Sequence, residues 1–237
     1  MIVIPDIHGR TYWKDAVAGR ENEKIIFLGD YTDPYEYEGV TYEQTLENLK
    51  DIIEFKKQHM DNVVLLLGNH DCSYAIGTHI CDCRRDRVHY KEIEKLFDDN
   101  RSLFKLAHIE NISGKDILFS HAGLHKEYAD RLVDNYTSIQ QVIDVLNSAW
   151  INDEYGTLNS LCKVPFYRGG YGDAGSIVWA DVREFVNIGN QLDIYQIFGH
   201  TQLKQIYATD TYACIDCHKA IILTDLPSFI SQYKKTS

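Results

Sequence analysis

The chain lacks any apolar stretch that approaches the roughly 20 residues needed to span a bilayer. Its first residues, MIVIPDIHGR, hold only a short apolar run with no basic region before it, so they are not expected to be a signal peptide. Six cysteines in 237 residues are too few for a disulfide scaffold. We therefore expect reduced thiols, no membrane partner and a cytoplasmic location.

Positive charge is also scarce, because 24 Lys and Arg stand against 35 Asp and Glu, for a net charge of −11. A chain this acidic has no general attraction for nucleic acid, so a nucleic-acid partner is not expected. A phosphorylated substrate would meet the same repulsion unless local positive charge offset it. Bound metal ions would supply that charge.

Short apolar runs rich in Ile, Val and Leu predict buried β-strands. These runs cover residues 2–4, 25–28, 63–67, 117–119, 194–198 and 220–223. Helical patterns lie between them, at 42–57, 90–98 and 137–150. The alternation predicts an α/β fold with parallel pairing in the first half of the chain.

The last part of the chain has more closely spaced runs, with two more at 205–208 and 211–215. This spacing predicts an antiparallel tail, whose first turn is Thr209-Asp210. Two other stretches, 72–90 and 152–176, have no regular pattern and are expected to be loops over a site.

Polar side chains of the metal-binding types follow five of the predicted strands at the same relative place. In chain order they are Asp6 and His8, Asp30 and Asp33, Asn69 and His70, His121, and His200. Because the carboxyl ends of parallel strands share one edge of a sheet, these side chains are expected to converge. Carboxylate, amide and imidazole donors together suit Mn, Fe or Zn.

The same blocks carry a family resemblance. They read Asp6-Ile7-His8-Gly9, Gly29-Asp30-Tyr31-Thr32-Asp33, Gly68-Asn69-His70-Asp71, Ser120-His121-Ala122-Gly123 and Gly199-His200-Thr201. This ordered series resembles the calcineurin-like metallophosphoesterase superfamily, and within it the serine/threonine phosphoprotein phosphatase branch with its small bacterial and phage relatives. Gln202 stands where the nuclease and phosphodiesterase branches usually carry a second His, which fits that branch.

The resemblance implies one metallophosphoesterase domain over residues 1–237, with loop insertions near 72–90 and 124–176. The implied fold has two packed mixed β-sheets flanked by helices, in four α/β/β/α layers. The implied cofactors are two divalent ions, Mn and/or Fe, with Zn as an alternative. Asp6 and His8 would hold the first ion and Asp30 would bridge the two. The second ion would be held by Asn69, His121 and His200.

The implied activity is hydrolysis of a phosphoric monoester, on a phosphoprotein or a small molecule, by a hydroxide shared between two metal ions. His70 is expected to protonate the leaving oxygen, with Asp33 orienting its ring. An alternative is a phosphodiesterase or dinucleoside polyphosphate hydrolase of the same fold. A metal-free scaffold is a third reading, which the intact ligand set disfavours.

The chain departs from the branch at one place. The branch reads Gly-Asp-x-x-Asp-Arg-Gly, and its Arg grips the substrate phosphate, but here Pro34 follows Asp33. Arg183 and Arg168 are the two candidates to bind the phosphate instead. The mixed charges at 82–87 favour a solvated surface, with a flap over the substrate as the alternative.

The cysteines leave a further alternative open. Cys214 and Cys217, followed by His218, have a spacing that supplies half of a tetrahedral zinc site. Because both lie in or beside a predicted strand, small buried hydrophobic side chains are the favoured interpretation.

Overall fold

The computed structural model describes residues 1–76 and 83–234. Within these residues the chain forms ten β-strands: β1 (Ile2–Ile4), β2 (Ile25–Phe27), β3 (Val63–Leu66), β4 (Phe104–Lys105), β5 (Ala107–Ile112), β6 (Lys115–Ser120), β7 (Tyr195–Phe198), β8 (Tyr207–Ala208), β9 (Tyr212–Cys214) and β10 (Ile221–Ile222). The same residues form nine α-helices: α1 (Tyr12–Val17), α2 (Tyr42–Gln58), α3 (Asn69–Ala75), α4 (Tyr90–Asp99), α5 (Lys126–Leu132), α6 (Ile139–Asn152), α7 (Tyr155–Ser160), α8 (Val182–Ile188) and α9 (Leu226–Tyr233).

The strands form two five-stranded mixed sheets, with the orders β10-β1-β2-β3-β4 and β5-β6-β7-β9-β8. In the first sheet, β1 to β4 are parallel and β10 runs antiparallel to β1. In the second sheet, β6, β7 and β9 are parallel, while β5 and β8 are antiparallel to their neighbours. Helices flank the sheets, so the predicted fold class is confirmed.

Alternate residues of the first sheet face opposite sides, because successive side chains in a strand point to opposite faces. Val3, Ile26 and Val64 belong to a core cluster shared with Phe119 and Ile197 of the second sheet. Their strand neighbours face the other way, in a larger cluster with the buried side chains of α1, α2, α4 and α6. Burial on both faces explains why β1 to β3 read as unbroken apolar runs.

Helix α2 shows how closely a strong pattern determines its element. Residues 42–57 were expected to be helical, and α2 covers Tyr42–Gln58. It begins with a capping box, in which the Thr41 hydroxyl accepts from the Gln44 backbone and the Gln44 side chain accepts from the Thr41 backbone. Its buried face carries Leu46, Leu49 and Ile53.

The tail is only partly antiparallel, which corrects the expectation from spacing. The turn at Thr209-Asp210 does join an antiparallel pair, β8 and β9. However, β9 lies beside β7 in parallel, and β10 crosses to the first sheet. The second strand of the β8–β9 hairpin lies next to β7, so β7 and β8 are consecutive in the chain but are not neighbours in the sheet.

The predicted loops hold more regular structure than their sequence indicates. Helix α3 covers the start of the 72–90 stretch, and α7 and a 3₁₀ turn at Phe166–Arg168 lie within 152–176. Residues 77–82, including Cys81 and Asp82, lie outside the described residues. Within residues 1–76 and 83–234, no helix has the length and apolar character to cross a membrane.

Candidate metal centre

The predicted ligand residues converge, but from two sheets rather than from one sheet edge. Those following β1, β2 and β3 belong to the first sheet, and those following β6 and β7 belong to the second. Packing the two sheets face to face brings both sets of carboxyl ends together. We call these residues the ligand cluster: Asp6, His8, Asp30, Asn69, His121 and His200.

The backbone turns sharply where strands deliver these side chains. His8, Asp30, Asp33 and His200 have left-handed φ angles of +44°, +52°, +57° and +62°. A non-glycine residue in this region costs on the order of 1–3 kcal/mol, and such strain is typical of functional sites. The surrounding fold therefore offsets a cost that gives these four residues their positions.

Gly68 and Gly199 lie where carboxylate oxygens approach the backbone too closely for any other residue. A Cβ on Gly68 would lie 2.1 Å from Oδ1 of Asp30, and one on Gly199 would lie 2.4 Å from Oδ1 of Asp6. Because glycine has no Cβ, Gly68 and Gly199 leave room for carboxylates of the cluster.

Asp30 lies between two histidines. Its Oδ2 is 3.4 Å from Nε2 of His8 and 3.4 Å from Nε2 of His121. Two groups of side chains could each hold a metal ion, and both contain Asp30. One adds His8 and His70, and the other adds His121 and His200. One carboxylate is thus shared by two potential ion sites.

Hydrogen bonds of Nδ1 set the tautomers of His8 and His121. Nδ1 of His121 lies 2.9 Å from the carbonyl oxygen of Leu28, and Nδ1 of His8 lies 2.9 Å from that of Thr32. A neutral imidazole that donates through Nδ1 has a bare lone pair on Nε2. Both Nε2 atoms, which face Asp30, are therefore in the form that binds metal.

The resulting arrangement brings hydrogen-bond acceptors close to one another. Nε2 of His121 lies 3.1 Å from Oδ1 of Asn69, which is also an acceptor, and 3.1 Å from Nδ1 of His200, which can donate to it. The Asn69 amide nitrogen contacts Sγ of Cys83 at 3.2 Å, which keeps its oxygen toward the cluster. Among the described residues, the buried Nε2 of His200 has no hydrogen-bond partner. Converging lone pairs fit a divalent cation.

Electrostatics support the same fit. Burial lowers the pKa of His8, His121 and His200, so their imidazoles are neutral and able to bind metal. Burial, and then the carboxylates of Asp6 and Asp71, raise the pKa of Asp30. A bound cation would stabilise the carboxylate form of Asp30 and remove this penalty.

Asp6 links the two sheets and belongs to neither of the three-residue groups above. Its Oδ1 accepts the backbone N–H of His200 at 3.0 Å, from the end of β7. The same oxygen lies 3.9 Å from Nδ1 of His121. Asp6 also lines the cavity beside the cluster.

The expected pairing of His70 with Asp33 is present. Nδ1 of His70 lies 2.7 Å from Oδ2 of Asp33, and the Tyr74 hydroxyl donates to the other oxygen. Burial, followed by the charge of Arg84, lowers the pKa of His70 to about 3, and burial raises that of Asp33 to about 7. Burial thus outweighs the stabilisation that the neighbouring Asp33 carboxylate would give to the His70 imidazolium.

Asp71 has a structural role that the sequence reasoning missed. Its carboxylate accepts backbone N–H groups of Asp30 at 2.7 Å, Tyr31 at 2.9 Å and Gly68 at 2.9 Å. It therefore joins the ends of β2 and β3. An acid three residues after the cap position Gly68 is the capping pattern that could have indicated it.

A cavity of about 260 Å³ opens beside the cluster. Arg168 lines it and donates to the His200 carbonyl at 3.2 Å and the Thr201 hydroxyl at 2.9 Å. Arg183 is not among the lining residues. Its guanidinium pairs with Asp181 at 2.7 Å, as that of Arg168 also does, but it donates to the Tyr167 carbonyl and does not reach the cavity, so its position argues against the predicted phosphate contact.

Arg84 also lines the cavity, so at this position the structure favours the alternative of a segment that faces the substrate over a solvated surface. No periodicity marks such a residue, because its position depends on a contact with the distant Asp33. We call Arg84 and Arg168 the arginine pair.

The cysteine contacts favour the buried-thiol interpretation over zinc. Cys214 is buried, with Sγ 3.4 Å from the carbonyl of Gly199, and Sγ of Cys217 lies 3.3 Å from that of Ile215. His218 contacts Gln202 instead. Within the described ranges, no group able to hold a metal contains a cysteine.

Two packed mixed sheets with ligand-type side chains at the ends of their parallel strands define a metallophosphoesterase-type fold. The family described as calcineurin-like phosphoesterase matches residues 1–203. The chain therefore belongs to the calcineurin-like phosphoesterase family, and is by class a metal-dependent phosphoesterase. No curated protein sequence matches it.

Solved structures share the fold. One is the cold-active protein-tyrosine phosphatase of a psychrophilic Shewanella species, with 15% identity and a TM-score of 0.55 over 91% of this chain and 70% of that chain. Another is a single-residue mutant of a cold-active protein tyrosine phosphatase, with 16% identity, a TM-score of 0.52 and the same coverage. At this identity the likeness concerns the fold alone.

Proposed function

We propose that the chain is a phosphomonoesterase with a dinuclear metal centre. One observation carries the proposal: Oδ2 of Asp30 lies 3.4 Å from a bare imidazole nitrogen on each side, His8 and His121. A cation on each side of the carboxylate would relieve the repulsion between these lone pairs. Asp30 is therefore the proposed bridging ligand.

The proposed ligand assignment keeps the set implied by the family resemblance. Asp6 and His8 hold the first ion, and Asn69, His121 and His200 hold the second. Nitrogen and oxygen donors without thiolate favour Mn or Fe, with Zn as the alternative. When bound, two such ions supply an activated water as nucleophile and neutralise the charge that develops on the phosphoryl oxygens.

The chain's own residues do the remaining work. His70 is the proposed donor of the proton to the leaving oxygen, from Nε2, while Asp33 holds Nδ1 at 2.7 Å. A bound phosphate dianion beside His70 would favour its imidazolium, opposing the effect of burial on its pKa. Arg168 binds the substrate phosphate from the His200 side of the cavity.

The monoester is favoured by the charge of the cavity. The arginine pair lines a cavity of about 260 Å³ and adds positive charge to that of the metal ions. A monoester carries one more negative charge than a diester at neutral pH, so the site has more to gain from it. The leaving alcohol, on a protein or a small molecule, extends into solvent.

The test compares para-nitrophenyl phosphate with its bis-ester, using protein loaded with Mn²⁺ and analysed for metal by mass spectrometry. We expect about two ions per chain and faster hydrolysis of the monoester. Faster hydrolysis of the bis-ester would move the assignment to the phosphodiesterase alternative. If the protein holds no metal after loading, the dinuclear centre is refuted and the metal-free scaffold becomes the favoured interpretation.

A further inference from the structure

The cavity keeps an arginine on its Asp33 side although the arginine expected after Asp33 is replaced by Pro34. Nη2 of Arg84 donates to the Asp33 carbonyl at 3.0 Å. The guanidinium of Arg84 also stacks on the ring of Tyr35, with Cζ 3.9 Å from the ring centroid. A residue 50 positions away from Pro34 thus brings its guanidinium beside the same block.

Among the described residues, Arg84 shares its charge environment with one other arginine, the exposed Arg87, which does not line the cavity. Arg10, Arg20, Arg85, Arg101, Arg131, Arg168 and Arg183 each form an ion pair with a carboxylate. In the part of the chain that the structure describes, no carboxylate forms an ion pair with Arg84. Its charge at the cavity is therefore left for an anionic ligand to neutralise.

Arg84 is not needed to hold its own segment, because its neighbours do so. Arg85 pairs with Glu94, and its guanidinium lies 4.8 Å from the ring centroid of Tyr74. The Asp86 backbone donates to the Tyr74 hydroxyl at 2.6 Å, and that hydroxyl donates to Asp33. These contacts fix the segment against the site and hold Arg84 in place in advance of binding.

A guanidinium has five N–H donors in a planar fork that matches two phosphate oxygens. The contacts of Arg84 with Asp33 and Tyr35 use only some of these donors. Stacking on Tyr35 also limits the motion of the side chain, so little conformational freedom is lost on binding.

We propose that Arg84 replaces the arginine missing after Asp33 and binds the phosphoryl oxygens of the substrate, together with Arg168 from the His200 side. This inference rests on the proposed phosphoesterase function. It makes the segment that follows residues 77–82 part of the substrate-binding site.

The test uses Arg84→Ala and Arg84→Lys, with Arg87→Ala as the matched control. Arg87 carries the same charge, is exposed in the same segment and does not line the cavity. Each Mn²⁺-loaded protein is measured for metal content, for KM and kcat on para-nitrophenyl phosphate, and for binding of inorganic phosphate by calorimetry.

We expect Arg84→Ala to weaken phosphate binding and raise KM by roughly ten- to one hundred-fold, the range for losing hydrogen bonds to a charged group. Metal content should stay at the wild-type level. Arg84→Lys should recover only part of the affinity, because an ammonium lacks the planar fork. Arg87→Ala should match the wild type.

Wild-type phosphate affinity in Arg84→Ala, or an equal loss in Arg87→Ala, would overturn the inference. So would loss of metal in Arg84→Ala, which would assign Arg84 a structural role, or a wild-type protein that does not bind phosphate. If the wild type binds phosphate through Arg84 but hydrolyses no ester, the proposed function fails and the inference stands. If the Arg84→Ala variant hydrolyses the monoester with the KM of the wild type, the inference about Arg84 fails and the proposed function stands.

Discussion

The ligand cluster and the arginine pair border the same cavity but come from different kinds of structure. The cluster residues follow strands that are buried in the two sheets, and five of the six are themselves buried. Arg84 comes from the segment after residues 77–82, and Arg168 from a 3₁₀ turn in a long connection. The proposed metal-binding part of the site is thus held by the two cores, whereas the proposed phosphate-binding part is held by loops.

This difference separates two kinds of constraint. A change in the cluster removes a ligand from a buried site and leaves other charges without compensation, so its cost is large. A change in the arginine pair removes one contact to an anion at a partly exposed position, so its cost is smaller. The predictions below test that order, from the largest expected effect to the smallest.

Asp30→Asn should abolish hydrolysis of para-nitrophenyl phosphate and release at least one metal ion per chain. An amide has one oxygen and no charge, so it cannot bridge two cations as a carboxylate does. Metal analysis and turnover are measured together, with the exposed Asp99→Asn as the control. Full activity in Asp30→Asn would refute the bridging role.

His70→Asn should lower kcat by roughly 10²–10⁴-fold, the usual contribution of a general acid, while metal content stays nearly intact. The geometry also groups His70 with His8 and Asp30, so a ligand role is the competing assignment. Loss of an ion from His70→Asn would establish that competing role. A wild-type kcat in His70→Asn would exclude both the general-acid role and the ligand role.

Metal removal should lower the melting temperature by roughly 5–10 °C, taking about 2.7 kcal/mol for an ion present at a hundred times its Kd. The raised pKa of Asp30 means that protonated Asp30 stabilises the fold without metal in acid, and this contribution is lost as pH rises through that pKa. The stabilisation by metal should therefore grow with pH. Melting curves with and without a chelator at several pH values test this, and a constant difference would contradict it.

Arg168→Ala should raise KM for para-nitrophenyl phosphate roughly ten-fold or more, with a smaller change in Arg183→Ala. Arg168 lines the cavity, whereas Arg183 is bound to Asp181 and Tyr167 outside it. Both variants are compared at matched metal content. A larger effect in Arg183→Ala would reverse the order that the geometry favours.

Tyr74→Phe should have the smallest effect on turnover, a few-fold lower kcat, with a loss of roughly 1–3 kcal/mol in stability, because it removes the hydroxyl that donates to Asp33 and accepts from the Asp86 backbone. Chemical unfolding measures the change in stability, and turnover of para-nitrophenyl phosphate measures the change in kcat. Tyr155→Phe, at a 69% exposed position, is the control. An unchanged kcat would indicate that Tyr74 does not help to position Asp33.

Much of the fold could be predicted because its signals are local. The apolar runs predicted β1 to β3 and the helical spacing predicted α2 within a residue or two. Strands β4 and β5 were missed, because Phe104–Lys105 is too short for a pattern and Ala107–Ile112 is mostly half-buried with polar members. Whether residues 1–237 form one domain stays a prediction.

The candidate ligands could be predicted because each block combines a strand with a ligand-type residue at a fixed offset. The apolar runs could not show that the ligand residues are divided between two sheets. Parallel strands have the same sequence pattern whether they belong to one sheet or to two. The roles of the ligands, of His70 with Asp33, and of Arg168 and Arg183 stay predictions, as do the identity of the metals and the cytoplasmic location.

The sequence by itself determined the apolar strands β1 to β3, the ligand-type residues that follow the predicted strands and the family to which the chain belongs, because these depend on neighbours along the chain. Only the tertiary structure decided that Arg84 and Arg168 line the cavity while Arg183 does not. Those positions depend on contacts with Asp33, His200 and Asp181, and such contacts exist only after packing brings distant segments together.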